Sequence, residues 1–164
     1  MHPAALPIDA LLAACEETAV RRSGPGGQHR NKVETGVVLR HRPTGAVAEA
    51  SERRSRAENR AVAVRRLRMR LAIGHRESPA PAPSALWCGR RREGRVAVAS
   101  DHDDLPALVA EALDVIAAAG LAMPEAAAHL GVSATQLVRL LGHEPAALAD
   151  LNRLRASVGL PRLR

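Results

Sequence analysis

The sequence predicts an α+β fold: a small mixed sheet with a packed helix and a Gly-Gly-Gln loop, followed by a small all-helical C-terminal domain. Three observations predict it. Residues 33–41 and 46–51 are short runs rich in β-branched and apolar residues on either side of Arg42-Pro43-Thr44-Gly45, the pattern of a β-hairpin. Ser55 with Glu58 three residues on gives a capping box ahead of an arginine-rich helix. From Asp103 onward apolar residues recur at helical spacing, and the interruptions fall at Gly and Pro.

The elements follow in order. Ile8, Leu11, Leu12 and Cys15 have the spacing of a short amphipathic helix over residues 8–15, with Asp9 near its start. Residues 18–22 read as a strand leading into a glycine-rich loop, and the hairpin of residues 33–41 and 46–51 follows that loop. The helix capped by Ser55 presents Val62, Leu67, Met69 and Leu71 as its apolar face and ends near Ile73. One helix on a small sheet completes a first domain, residues 1–75. Pro79, Pro81 and Pro83 alternate with small residues, an extended linker over residues 74–85. Residues 94–100 read as one more short strand, so residues 76–100 form a Pro- and Arg-containing connection. The helical domain, residues 101–164, comprises a helix from Leu105 through Ile116 ending at Gly120, a second from Pro124 to Leu130, a third from the Ser133 cap to Leu141, and a fourth over residues 145–158.

Composition narrows the function classes. The chain has 164 residues, no Phe, no Tyr and one Trp, Trp87, so its core is built from Leu, Val, Ile and Ala. Base recognition by aromatic stacking is nearly excluded. The net charge is +7, which suits a polyanion partner. That charge is uneven: residues 1–100 carry a net +10 and residues 101–164 a net −3. Cys15 and Cys88 have no CxxC spacing, the seven histidines lack ligand spacing, and no apolar run is long enough to span a bilayer. The expectation is a cytoplasmic protein with no metal, no cofactor and no membrane partner.

Residues 23–32 read Ser-Gly-Pro-Gly-Gly-Gln-His-Arg-Asn-Lys. A glutamine is neither acid, base nor nucleophile, and it serves chemistry by position. A backbone N–H beside glycine can approach a reacting centre and donate to a developing oxyanion or leaving oxygen. A side-chain amide can orient or exclude water. Such a loop has no pocket of its own, so it needs a host active site supplied by a partner. The flanking cations Arg22, Arg30 and Lys32 fit phosphate contact. Lys32 is the single Lys against 23 Arg in the chain.

The run of residues 23–32, the hairpin ending in His41-Arg42-Pro43-Thr44-Gly45, and the helix opening at Glu52-Arg53-Arg54-Ser55 with Glu58-Asn59-Arg60 together resemble the catalytic domain of class I peptide chain release factors. The likeness covers roughly residues 11–72, and three motifs in order and spacing make it specific. It departs from the commoner family pattern at Pro25 and Arg30, outside the Gly-Gly-Gln triplet. The resemblance implies hydrolysis of the ester linking nascent peptide to tRNA in the ribosomal peptidyl transferase centre. Gly26, Gly27 and Gln28 would be the catalytic tip, and Arg22, Arg30, Lys32, Arg53, Arg54 and Arg60 the RNA-binding residues. It also implies methylation of the Gln28 side-chain amide, hence a glutamine methyltransferase as partner beside the ribosome, its rRNA and peptidyl-tRNA.

The stretch before residue 20 is shorter than a codon-reading domain, so the expectation is a likeness to the short, codon-independent members that rescue stalled ribosomes. Those typically end in a disordered basic tail, whereas residues 101–164 here read as helical and net acidic, with an unassigned partner. Residues 125–141 resemble a helix-turn-helix, with Thr135, Gln136 and Arg139 as the polar residues of its second helix. Many packed helix pairs share this pattern. The alternative function, from a different class, is a noncatalytic RNA- or DNA-binding regulator using the basic loop and the helix-turn-helix-like segment.

Overall fold

A computed structural model of the chain describes residues 1–21 and 35–164. They divide into two compact units, Leu6–Leu71 and Met1–Ala5 with Ala72–Arg164.

In the Leu6–Leu71 unit, α1 (Ile8–Ala13) leads into β1 (Cys15–Val20), which pairs with β2 (Gly36–His41), itself paired with β3 (Val47–Ala50). The class is α+β as the sequence indicates. The sheet is antiparallel in both pairs, Cys15↔His41 to Val20↔Gly36 and Val37↔Ala50 to Arg40↔Val47, rather than mixed. Strands that neighbour each other in sequence return directly, and a direct return is antiparallel. Alternation sets the inner face: Val37, Leu39, Ala48 and Ala50 are buried, while Arg40 and Glu49 are exposed. The turn between β2 and β3 closes where the Gly45 N–H donates to the His41 carbonyl, with Gly45 at φ 72° and the Thr44 hydroxyl 2.8 Å from His41 Nδ1.

Helix α2 (Arg56–Gly74) follows β3. Ser55 stands before its first turn, its Oγ accepting a long 3.5 Å hydrogen bond from the Glu58 N–H. Its buried stripe is Asn59, Ala63, Val64, Leu67 and Leu71, whereas Val62 and Met69 are only half-buried. At about 100° per residue, Val62 and Met69 point about 140–180° away from Leu67 and Leu71, so one face cannot hold all four. Arginines from the outer side reach back to the edge strand: Arg66 donates to the Glu49 carbonyl at 2.8 Å and Arg70 to that of Val47. Two expectations at the start of the unit change. Cys15 belongs to β1 rather than to the helix, and Ile8 is exposed, leaving Leu11 as the buried anchor of α1.

The other unit is helical. Helix α3 (Ala85–Arg90) is followed by a two-residue hairpin of β4 (Arg91–Arg92) and β5 (Arg95–Val96), then α4 (Leu105–Ala118), α5 (Met123–Leu130), α6 (Ala134–Gly142) and α7 (Pro145–Ser157). Pro3–Ala5 adds a single 3-10 turn against α4. Helix α4 is buried along most of its length, and Leu108, Ile116, Leu130, Leu137, Leu141 and Leu151 fill the core. The signals at Gly120, Gly131, Ser133 and Pro145 end or begin helices where the sequence places them.

The proline-containing stretch is extended but tethered. The Glu77 N–H donates to Asp114 at 3.0 Å, and the Ser84 N–H and hydroxyl donate to Glu111 at 2.7 and 2.6 Å. Helix α3 was not expected. Trp87 is fully buried and its indole N–H donates to the Leu130 carbonyl at 2.9 Å. The strand expected over residues 94–100 shrinks to Arg95–Val96, because its partner is only two residues long.

Candidate functional site

Residues 22–34 lie outside the described residues, and with them Arg22, Gly26, Gly27, Gln28, Arg30 and Lys32. What the structure describes is the frame to which this segment is joined. It is joined to β1 and β2 at their last paired residues, Val20 and Gly36. An alanine Cβ at position 36 would lie 2.6 Å from Val20 Cγ2 and 2.8 Å from the Val20 carbonyl, and 3.2 Å from Ser51 Cβ. Glycine is therefore required sterically where the two strands and the end of β3 come together.

Asn59 locks this frame to α2. It is fully buried, and its amide makes three hydrogen bonds. Oδ1 accepts from the Arg53 N–H at 2.9 Å; Nδ2 donates to the Arg53 carbonyl at 3.0 Å and to the Thr35 carbonyl at 2.7 Å. One side chain thus ties Thr35, immediately after the Gly-Gly-Gln segment, to the turn that carries Arg53 and Arg54. The third motif therefore meets the stem: residues 52–54, the first turn of α2 and the Val20–Gly36 pair gather at one end of the unit.

A second tie comes from β1. Glu17 accepts hydrogen bonds from Arg60 Nε at 2.8 Å and Arg56 Nη2 at 3.0 Å. The Arg60 hydrogen bond, with that of Arg56 adding to it, holds the Glu17 carboxyl below the usual carboxylate range; burial opposes them, by less than the Arg60 bond and more than the Arg56 bond. Stability from a carboxyl lowered in the fold is present above its unfolded value and is lost as pH falls through the folded value. Glu17→Gln should therefore flatten the acid limb of stability. Because the pair is largely solvated, the loss near neutral pH should stay within about 1 kcal/mol. Thermal melts of the two proteins across the carboxylate range check this: parallel acid limbs would remove the clamp from the account.

Arg53 and Arg54 are exposed, with no carboxylate partner among the described residues, so their guanidinium groups are open to phosphate. Arg60 instead spends its Nε on Glu17 and remains 44% exposed. Glu52, next to Arg53, is held by Arg66 at 2.7 Å and accepts from the Ser51 N–H at 2.9 Å; the backbone N–H groups of Glu52 and Ser51 lower its carboxyl, with Arg66 adding to them. The Leu6–Leu71 unit carries 14 Lys and Arg against 7 Asp and Glu, so the whole net charge of +7 falls in it.

Sequence reasoning named Asn59 only as part of a motif and missed Glu17, Thr35 and Gly36. The one signal available was the Thr35-Gly36 pair, a glycine at the head of a β-branched run, which marks close backbone approach.

The described helices include none long and apolar enough to cross a membrane. The family model described as RF-1 domain matches residues 8–95. The chain is 39% identical over 82 residues to peptide chain release factor 1 of Xylella fastidiosa, covering 50% of this chain and 20% of that one. It is 41% identical over 84 residues to an uncharacterized mitochondrial peptide chain release factor-like protein of Saccharomyces cerevisiae, covering 51% and 54%. Against the mitochondrial peptide chain release factor 1-like protein of Mus musculus it is 44% identical over 57 residues, covering 35% and 15%. The chain thus spans about a fifth of the bacterial release factor and about half of the yeast protein. No solved structure gives a match. With the stem, the Asn59 lock and the basic end of α2 all lying inside a family match that covers more than half of its residues, the chain belongs to the RF-1 domain family of class I peptide chain release factors.

Proposed function

We propose that this chain releases nascent peptide by hydrolysing the peptidyl-tRNA ester in the ribosomal peptidyl transferase centre, without need of a stop codon. The observation that carries the reading is Gly26-Gly27-Gln28 set between β1 and β2, on a stem that Gly36 and Asn59 fix to α2 within the RF-1 match. The named release factors among its relatives support the same activity.

In this reaction a water oxygen attacks the ester carbonyl carbon, the bond to the tRNA 3′ oxygen breaks, and that oxygen leaves with a proton. The Gln28 backbone N–H donates to the oxygen that gains charge, and the Gln28 amide positions the water. Gly26 and Gly27 keep the approach free of side chains. Arg22, Arg30 and Lys32, with Arg53 and Arg54 on the frame, hold the segment against RNA phosphates; Arg60 contributes there while bound to Glu17. The Gln28 amide nitrogen is the methylation site in this reading, which makes a glutamine methyltransferase a partner.

The test is release of labelled peptide from purified ribosomes carrying peptidyl-tRNA with no stop codon in the A site. Wild type should release peptide, and Gln28→Ala should slow release by about 100-fold or more with unchanged melting. A variant as active as wild type removes Gln28 from the mechanism. Release seen only when a stop codon is supplied removes the codon independence and keeps the hydrolysis.

A further inference from the structure

The helical unit holds 10 Lys and Arg and 10 Asp and Glu, so it is neutral as a whole. Four of its arginines are engaged within the unit. Arg90 binds Asp104 at 2.6 Å, Arg76 approaches Asp114 at 3.6 Å, Arg153 pairs with Asp150, and Arg155 donates to the carbonyls of Leu121 and Pro161 at 2.6 and 3.0 Å. Arg91, Arg92, Arg95, Arg139, Arg162 and Arg164 are exposed and have no carboxylate partner among the described residues.

Three of these six sit together on the β4–β5 hairpin. Its turn is Glu93-Gly94, with φ of 49° and 73°, the two-residue turn whose twist matches paired strands. Arg92 faces Arg95 directly across the ladder. Like charges in that position destabilise a hairpin, and the fold nevertheless holds both at the surface. The hairpin is fastened to the α5–α6 pair. Arg91 Nη1 donates to the Gly131 carbonyl at 3.4 Å, and an alanine Cβ at position 131 would lie 1.8 Å from that nitrogen. Strand β5 lies against α6. Thr135 and Arg139, one turn apart, are exposed side chains of α6, while Gln136 is half-buried.

We propose that the β4–β5 hairpin and the exposed face of α6 form a second phosphate-binding surface, by which the helical unit docks on structured RNA. Guanidinium groups held on a fixed hairpin match phosphate oxygens, and in this proposal the surface positions the chain on RNA rather than reading its sequence. A helix cannot enter the narrow major groove of an A-form duplex, whereas arginines on a rigid hairpin can track its backbone. The choice of RNA over DNA rests on the proposed ribosomal function.

The test titrates the full-length chain with a 20-base-pair RNA duplex (about two helical turns) and the DNA duplex of the same sequence, over a range of salt. The variant R91Q/R92Q/R95Q is compared with R153Q/R162Q/R164Q, which removes the same charge elsewhere on the same unit. The hairpin variant should bind the RNA at least about tenfold more weakly than the control variant and show a salt slope smaller by about 2. Equal binding by the two variants overturns the proposal, as does tighter binding of the DNA duplex by wild type. Gln28→Ala should bind as wild type does. Loss of peptide release therefore reports on the hydrolytic reading, and loss of hairpin-dependent binding reports on this one.

Discussion

Asn59→Ala should lower the stability of the Leu6–Leu71 unit by about 2–3 kcal/mol, one of the two largest effects expected of any single substitution in this chain. The residue is fully buried and its amide meets three backbone groups. Truncation removes all three hydrogen bonds and leaves the carbonyls of Thr35 and Arg53 and the Arg53 N–H without that partner. Volume is a smaller part of the effect than polarity. Asn59→Asp tests this, since it preserves size and the acceptor facing Arg53 N–H but turns a donor into a charged oxygen facing two carbonyls. At neutral pH it should destabilise at least as much as alanine does. For a unit of this size the expected loss lowers the melting temperature by about 10 °C or more, read by circular dichroism. Peptide release should slow as well, measured below the melting temperature, because Thr35 would no longer be tied to α2. A change under about 0.5 kcal/mol for both variants would mean that the Thr35–Arg53 arrangement holds without Asn59.

Trp87→Ala should cost the helical unit about 3–5 kcal/mol. The indole is the largest fully buried side chain of the described residues, and its N–H is bonded to the carbonyl of Leu130, at the end of α5. Removing it opens a cavity between α3 and the α5–α6 turn and deprives that carbonyl of its donor. Trp87→Phe separates the two contributions: it fills most of the volume and should cost about 1–2 kcal/mol. With no Tyr in the chain, Trp87 is also the source of the intrinsic fluorescence, so the variants must be followed by far-ultraviolet circular dichroism. A Phe variant as damaged as the Ala variant would put the weight on the hydrogen bond rather than on packing.

The elements that were legible in the sequence are those whose signals are local. The turn at Thr44-Gly45, the Ser55 position ahead of α2, the left-handed Gly131 and the Ser133 cap, whose hydroxyl accepts from the Gln136 N–H at 3.2 Å, each act within four residues. Helix α3 was not legible. Six residues carry too little periodicity to register, and the helix persists because Trp87 is buried against a carbonyl 43 residues away. The buried face of α2 was misjudged for a related reason. Asn59 is polar, and only the backbone groups that surround it make its burial favourable.

For the candidate site the division is similar. Sequence by itself determined the class of the fold, the order of its elements, the Gly-Gly-Gln motif in its family context and the concentration of positive charge, because composition, caps and motifs are properties of neighbouring residues. Only the tertiary structure decided that Gly36 must be glycine, that Asn59 joins Thr35 to Arg53, that Glu17 engages Arg60, and that Arg91 lies over Gly131. Each of these depends on groups distant in the chain meeting at van der Waals or hydrogen-bond distance, and that meeting is set by packing of whole elements rather than by any local preference.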